Sequence, residues 1–245
     1  MTPEQYAQEY LCSFDAAILG ACYGKEIAQL EREGRVTKVE RVPDVPVYTA
    51  WHFGISDNGM MAIWVFQCIS GQIRVLDFYA NSGFGLEHYV GWLNDRDYGG
   101  PECTDWLPHD AAAHELGTGK TRVEMLVSMG RHIAMVPKFI RADSVSATQL
   151  ELRRMWFNAD TTAQRIEALR QYCTAYDEKT KTFSDTPHRD WTTDIADAAR
   201  YMAAAAREIA PPPPKSEQPP GIPMSDMTMD ELMDLEDRPS RRDRV

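Results

Sequence analysis

A chain of 245 residues with 43% hydrophobic and 10% aromatic content is long enough for one substantial core, and its polar last third argues against a second. A formal net charge of −11 excludes a protein that coats nucleic acid nonspecifically, since such binding relies on basic side chains; it leaves open an enzyme whose carboxylates hold metal ions. Five cysteines, an odd number with no CxxC pair, fit neither a disulfide framework nor a zinc ribbon and read as reduced core thiols.

The N-terminus has no basic leader followed by an apolar stretch, and no segment approaches the roughly 20 apolar residues of a membrane span, so a soluble, intracellular protein with no membrane partner is expected. From Thr2 to Gly34, Tyr6, Tyr10, Phe14, Ala17 and Ala21 keep a helical spacing broken by Gly20 and Gly24. This stretch reads as a helix in need of a partner surface. Beyond Pro43 and Pro46, three extended runs rich in Val, Ile, Trp, Phe and Tyr predict an antiparallel meander: Val47 to Phe53, Met61 to Ser70, and Gln72 to Ala80, with a tight turn at Ser70-Gly71.

Leu86 to Leu93 follows as a helix, and Cys103 to Leu107 as a short buried strand ending at Pro108-His109-Asp110. A helix over Glu124 to Met129 and a strand over Ile133 to Val136 then continue the pattern of parallel additions to a sheet. Three helices are expected last, over Ser146 to Phe157, Ala163 to Tyr176 and Trp191 to Ile209. The fold class is therefore α/β with a mixed sheet. At Pro211 the run PPPPKSEQPPGIP cannot continue a helix, so the domain is expected to span 43–210 and to end near Ala210. Residues 211–245 form a stiff linker and an acidic tail with Met224, Met227, Leu232, Met233 and Leu235, which reads either as solvated and disordered or as a short helix formed on a partner.

Several acids fall where such a sheet delivers side chains to one edge: Asp57 after the first strand of the meander, Asp110 beyond the fourth strand, and Asp190, Asp194 and Asp197 sharing one face of the final helix. An acidic helix face is usually just solvated. Asp197, however, is flanked by Ala196, Ala198 and Ala199, and a carboxylate on a tightly packed face needs a paired charge or a metal. Carboxylates from separate elements are the usual way to hold two magnesium or manganese ions about 4 Å apart for phosphodiester displacement. No HExxH, GxSxG or dinucleotide fingerprint competes with that reading. The run Gly117 to Thr121 resembles a P-loop, but His114 occupies the position of its first glycine. Lys120, Thr121 and Arg122 then read either as DNA-backbone contacts or as a helix start capped by Thr118 or Thr121.

Four ordered runs resemble the nuclease domain of tailed-phage large terminases: WHFGISDNGMMAIWVFQ, DFYANSGFGLEHYVGWL, WLPHDAAAHELGTGKTRVEML and HRDWTTDIADAARYMA. QEYLCSFDAAILGACYGKEI resembles the end of the terminase motor and its linker, so that the likeness spans roughly Glu4 to Arg207. The resemblance implies a ribonuclease H-like fold and a magnesium- or manganese-dependent endonuclease with a two-metal site, cutting concatemeric double-stranded phage DNA during genome packaging. It implies residues 1–42 as a helical linker from an ATPase motor, a terminase small subunit and a portal protein as partners, and the procapsid portal in the host cytoplasm as the location. Asp110 matches the family's second acid, Asp197 its late acid, Asp194 a position holding an acid or a histidine, and Asp57 the acid after the first-strand glycine. The departure is His52, where the resemblance leads to an aspartate bridging both metals. An inactivating substitution, an imidazole ligand or replacement by Asp57 each accounts for it, as does a histidine merely buried at the strand end. The runner-up function is accordingly a nuclease-fold module, weakened at His52, that binds DNA or packaging partners.

Overall fold

The computed structural model describes residues 20–54, 59–114, 119–138, 141–177, 182–187 and 189–210. The sheet is centred on β3 (Met61–Ile69), buried from Ala62 through Gln67, as the unbroken run AIWVF requires of a strand covered on both faces. Antiparallel to it lie β2 (Val47–His52) on one side and β4 (Gln72–Asn81) on the other. β5 (Cys103–Leu107) runs parallel to β2, and β6 (His132–Met135) parallel to β5. Outside β4, the strand β7 (Met155–Asn158) is parallel to it, and β1 (Val36–Thr37) is parallel to β7. The resulting seven-stranded order is β1-β7-β4-β3-β2-β5-β6. The expected mixed α/β sheet is therefore present.

Alternation along β3 divides the interior in two. Ala62, Trp64 and Phe66 join Tyr23, Ile27 and Leu30 of the α1 region (Gly24–Arg32), Leu152 of α4 (Arg141–Leu152), Ile166 and Leu169 of α5 (Ala159–Gln171), and Ile195 and Met202 of α6 (Thr193–Ile209). Ile63 and Val65 face the other way, toward Leu86, Tyr89 and Leu93 of α2 (Leu86–Asp95) and Leu126 of α3 (Arg122–Ser128). Ser70 and Gly71 both have positive φ, the primed two-residue turn that matches strand twist, so β3 and β4 form a tight hairpin. A bulge beside Val65 and Phe66 turns the Leu76 carbonyl outward, where Asn158 Nδ2 and Thr161 Oγ1 donate to it.

Several sequence expectations need correction. The helix expected over Ser146 to Phe157 ends at Leu152, and its last residues become β7 between β1 and β4. The helix expected over Ala163 to Tyr176 ends at Gln171, because Tyr172 leaves helical geometry at ψ 113°, and a hairpin of β8 (Thr174–Asp177) and β9 (Thr182–Pro187) follows. Asp190 is not on the last helix. Its Oδ1 accepts hydrogen bonds from Thr192 N–H (2.8 Å) and Oγ1 (2.5 Å), making a turn that precedes α6. Residues 23–39 contribute core side chains and an edge strand to the same unit as the sheet. Of the cysteines, Cys22 and Cys103 are buried free thiols, and burial pushes the thiols of Cys22 and half-buried Cys68 up to about 11. No helix among the described residues is long and apolar enough to cross a membrane.

Candidate functional site

Three parallel strands, β2, β5 and β6, open their C-terminal ends on one edge of the sheet. Such an edge is where open α/β sheets bind ligands. His52 is the last residue of β2. Asp110 follows β5 on a short 3-10 turn (His109–Ala112) and is exposed, while Lys138 lies just beyond β6 and is also exposed. Across the edge, α6 presents Asp194 in its first turn, where the helix dipole favours a negative charge.

The first turn of α6 is fixed to the sheet by two side-chain hydrogen bonds: Trp64 Nε1 donates to the Ile195 carbonyl (3.1 Å), and Met60 N–H donates to Asp194 Oδ2 (2.7 Å). The second oxygen of Asp194 is 3.1 Å from His52 Nε2. Burial alone raises the Asp194 carboxyl, but the His52 and Met60 hydrogen bonds with nearby positive charge outweigh it and hold its pKa below the usual carboxylate range. Tyr201, two turns along α6, stacks near the His52 ring at 6.1 Å between centroids. The same tyrosine lines a cleft of about 400 Å³ with Pro108, His109, Asp110, Pro137 and Lys138. His52, Asp110 and Asp194 are thus gathered at one edge.

Asp197 points elsewhere. It is buried, and Arg200 one turn later donates to its carboxylate while also donating to Ser144 Oγ (3.1 Å). Its alanine neighbours indicated a compensated charge, and here a guanidinium supplies the compensation. Asp57 lies outside the described residues. On either side of residues 55–58 the backbone approaches closely: a Cβ on Gly54 would stand 2.5 Å from Met60 N, so only glycine permits that pinch.

The run from Lys120 to Arg122 divides in function. Thr121 caps α3 in a reciprocal capping box, its Oγ1 accepting from Glu124 N–H (3.0 Å) and its N–H donating to the Glu124 carboxylate (2.8 Å). Lys120 is exposed, and the Arg122 guanidinium sits over the Phe53 ring, 5.1 Å from its centroid, beside the end of β2. Sequence reasoning missed His109, Lys138 and Tyr201. The signal for Lys138 was its place just past a parallel strand, in the same relation that Asp110 bears to β5.

Within the seven strands, β4-β3-β2-β5-β6 is a three-strand antiparallel meander extended by two strands parallel to its first. The large terminase of a thermophilic bacteriophage has this architecture at a TM-score of 0.57 and 13% identity, over 76% of this chain and 45% of that one. The large terminase nuclease of thermophilic phage G20c aligns with TM-scores of 0.55 with bound magnesium, at 13% identity, and 0.54 with bound cobalt, at 12%. Both of these alignments cover 76% of this chain and 97% of the G20c nuclease. The fold is that of a large-terminase nuclease domain. It is ribonuclease H-like, as the sequence resemblance implies. This chain spans less than half the length of the first of these terminases. No protein-family model matches it, and no curated protein matches it in sequence.

The terminase nuclease fold raises the question of divalent ions, and the G20c nuclease binds magnesium and cobalt. In this chain the described residues do not fit a two-ion centre. Position 52 offers an imidazole already bonded to Asp194, Asp197 is engaged by Arg200, and among the described residues no three His, Cys, Asp or Glu side chains gather closely enough to hold a metal.

Proposed function

We propose that this chain is the nuclease module of a phage genome-packaging terminase, that it engages double-stranded DNA along the edge holding His52, Asp110 and Asp194, and that its cutting is weakened by the loss of a carboxylate at position 52. The observation that carries this reading is the convergence of those three residues from two parallel strand ends and α6, on a fold that aligns over 97% of the G20c nuclease. The weakening follows from charge. A carboxylate shared by two divalent ions offsets their mutual repulsion, whereas a neutral imidazole supplies one nitrogen to one ion. In this reading the partners are an ATPase motor, a terminase small subunit and the portal, and the site of action is the procapsid portal in the host cytoplasm.

A second reading is a fully active magnesium- or manganese-dependent endonuclease cutting concatemeric DNA. One observation favours it: Asp194 stands 3.1 Å from His52, so the edge keeps a carboxylate beside the position that lacks one. Plasmid relaxation in magnesium, manganese and EDTA separates the two. The weakened module is expected to bind duplex DNA and to relax plasmid slowly, in manganese only. Rapid relaxation in magnesium establishes the second reading instead.

A further inference from the structure

The same edge carries a cation that neither reading of the carboxylates uses. Lys138 leaves β6 as Asp110 leaves β5, and the two segments are tied together by the Val136 N–H donating to the Leu107 carbonyl (2.9 Å). Pro137 restricts the backbone between that hydrogen bond and Lys138, so the lysine starts from a fixed point. Its side chain shares the roughly 400 Å³ cleft with His109, Asp110 and Tyr201, and Tyr201 carries the wall of that cleft across to His52.

The charge distribution makes this placement consequential. The chain carries −11 overall and presents Asp110 and Asp194 at this edge, so an approaching phosphodiester meets a repulsive field. A cation beyond the end of β6 offsets part of that repulsion, and lysine suits the task because it binds phosphate as a mobile point charge without needing a planar fork. Where metal ions are weakly held, the protein's own cations take a larger share of phosphate binding.

We infer that Lys138 binds a DNA backbone phosphate in this cleft, positioning the strand beside Asp110. This rests on the DNA-engaging function proposed above. Lys138 is a positioning residue, and its contribution is to affinity rather than to the reacting atoms.

The test is fluorescence anisotropy of the full chain with a labelled duplex of about 30 base pairs in EDTA, across a salt series. One phosphate contact fewer lowers the slope of log affinity against log salt by about 0.9, which at about 0.1 M salt is roughly an eightfold loss. Lys138→Ala should show both changes, Lys138→Arg should restore both, and the melting temperature of each should match wild type, because the side chain is exposed. Lys38→Ala is the comparison, since Lys38 follows β1, the outermost strand on the far side of the sheet from β6, and pairs with Glu40; it should bind as wild type does. Wild-type affinity and slope in Lys138→Ala, or an equal loss in Lys38→Ala, would overturn the assignment. Failure of the wild-type chain to bind any duplex would overturn the DNA-engaging function itself, and the role of Lys138 with it.

Discussion

Position 52 shows how one residue changes what an edge of a sheet does. His52 and Asp194 form a contact of opposite polarity, largely shielded from water, and the second oxygen of Asp194 is already satisfied by Met60 N–H. His52→Asp would set one carboxylate against another and remove the hydrogen bond to a charged group, a loss on the order of 2 kcal/mol in EDTA. The exchange variant His52→Asp with Asp194→His should recover most of that loss, because the contact reforms with its ends reversed. Urea denaturation of the three proteins measures this directly. A His52→Asp single variant as stable as wild type would mean that the contact contributes nothing. The depressed Asp194 pKa also fixes a pH dependence: the carboxylate contributes stability above the usual carboxylate range and loses it as pH falls through the depressed folded value. Asp194→Asn should flatten the acid limb of a stability profile, and an unchanged limb would remove Asp194 as its source.

Asp197 and Arg200 make a different kind of pair, with side chains 7% and 3% exposed. Deleting one partner of a buried pair leaves an uncompensated charge, so Arg200→Met should cost about 3–5 kcal/mol in chemical denaturation. Adding Asp197→Asn should return part of that stability. If Arg200→Met unfolds no more easily than wild type, the guanidinium is not what compensates Asp197, and the carboxylate is available for other chemistry.

At the scale of elements, the local signals in the sequence located most of what positions the edge. The meander β2-β3-β4, its Ser70-Gly71 turn and strand β5 were readable because alternation, β-branched residues and turn chemistry all act within a few residues. β7 was not, since Met155-Trp-Phe-Asn continues the helical spacing of α4 and becomes a strand only through pairing with Val36–Thr37 and Ile73–Val75, far away in sequence. The site was legible in part for a related reason. Asp110 and Asp194 showed as acids at element ends, but the partner that occupies Asp197, and the arrival of Lys138 in the cleft, are tertiary facts. At the start of α3 the sequence left two roles for Thr121, and its hydroxyl serves the cap. Thr121→Ala should therefore cost about 1 kcal/mol of stability. A Thr121→Ala protein that melts with wild type would show that α3 does not depend on its capping box.

At the scale of the whole molecule, the last core side chain of α6 to pack on the sheet unit is Ile209, which follows the fully buried Ala205 and Ala206. Past Ala210 the composition changes at once: four consecutive prolines, then eight acids and five basic residues interspersed with Met and Leu by residue 245. Proline there offers no N–H to extend α6, and a segment of that charge with so few apolar residues is expected to add little to the buried surface. Among the described residues, both cores of the sheet draw on positions 22–209. A chain ending at Ala210 should then keep the wild-type melting temperature to within a degree or two, whereas a contribution of 1 kcal/mol from the tail would move it by roughly 2–4 °C in a protein of this size. The measurement is a calorimetric scan of both lengths at equal concentration and pH. A drop of 5 °C or more on truncation would contradict the division at residue 210 and place tail residues among those that stabilise the sheet unit.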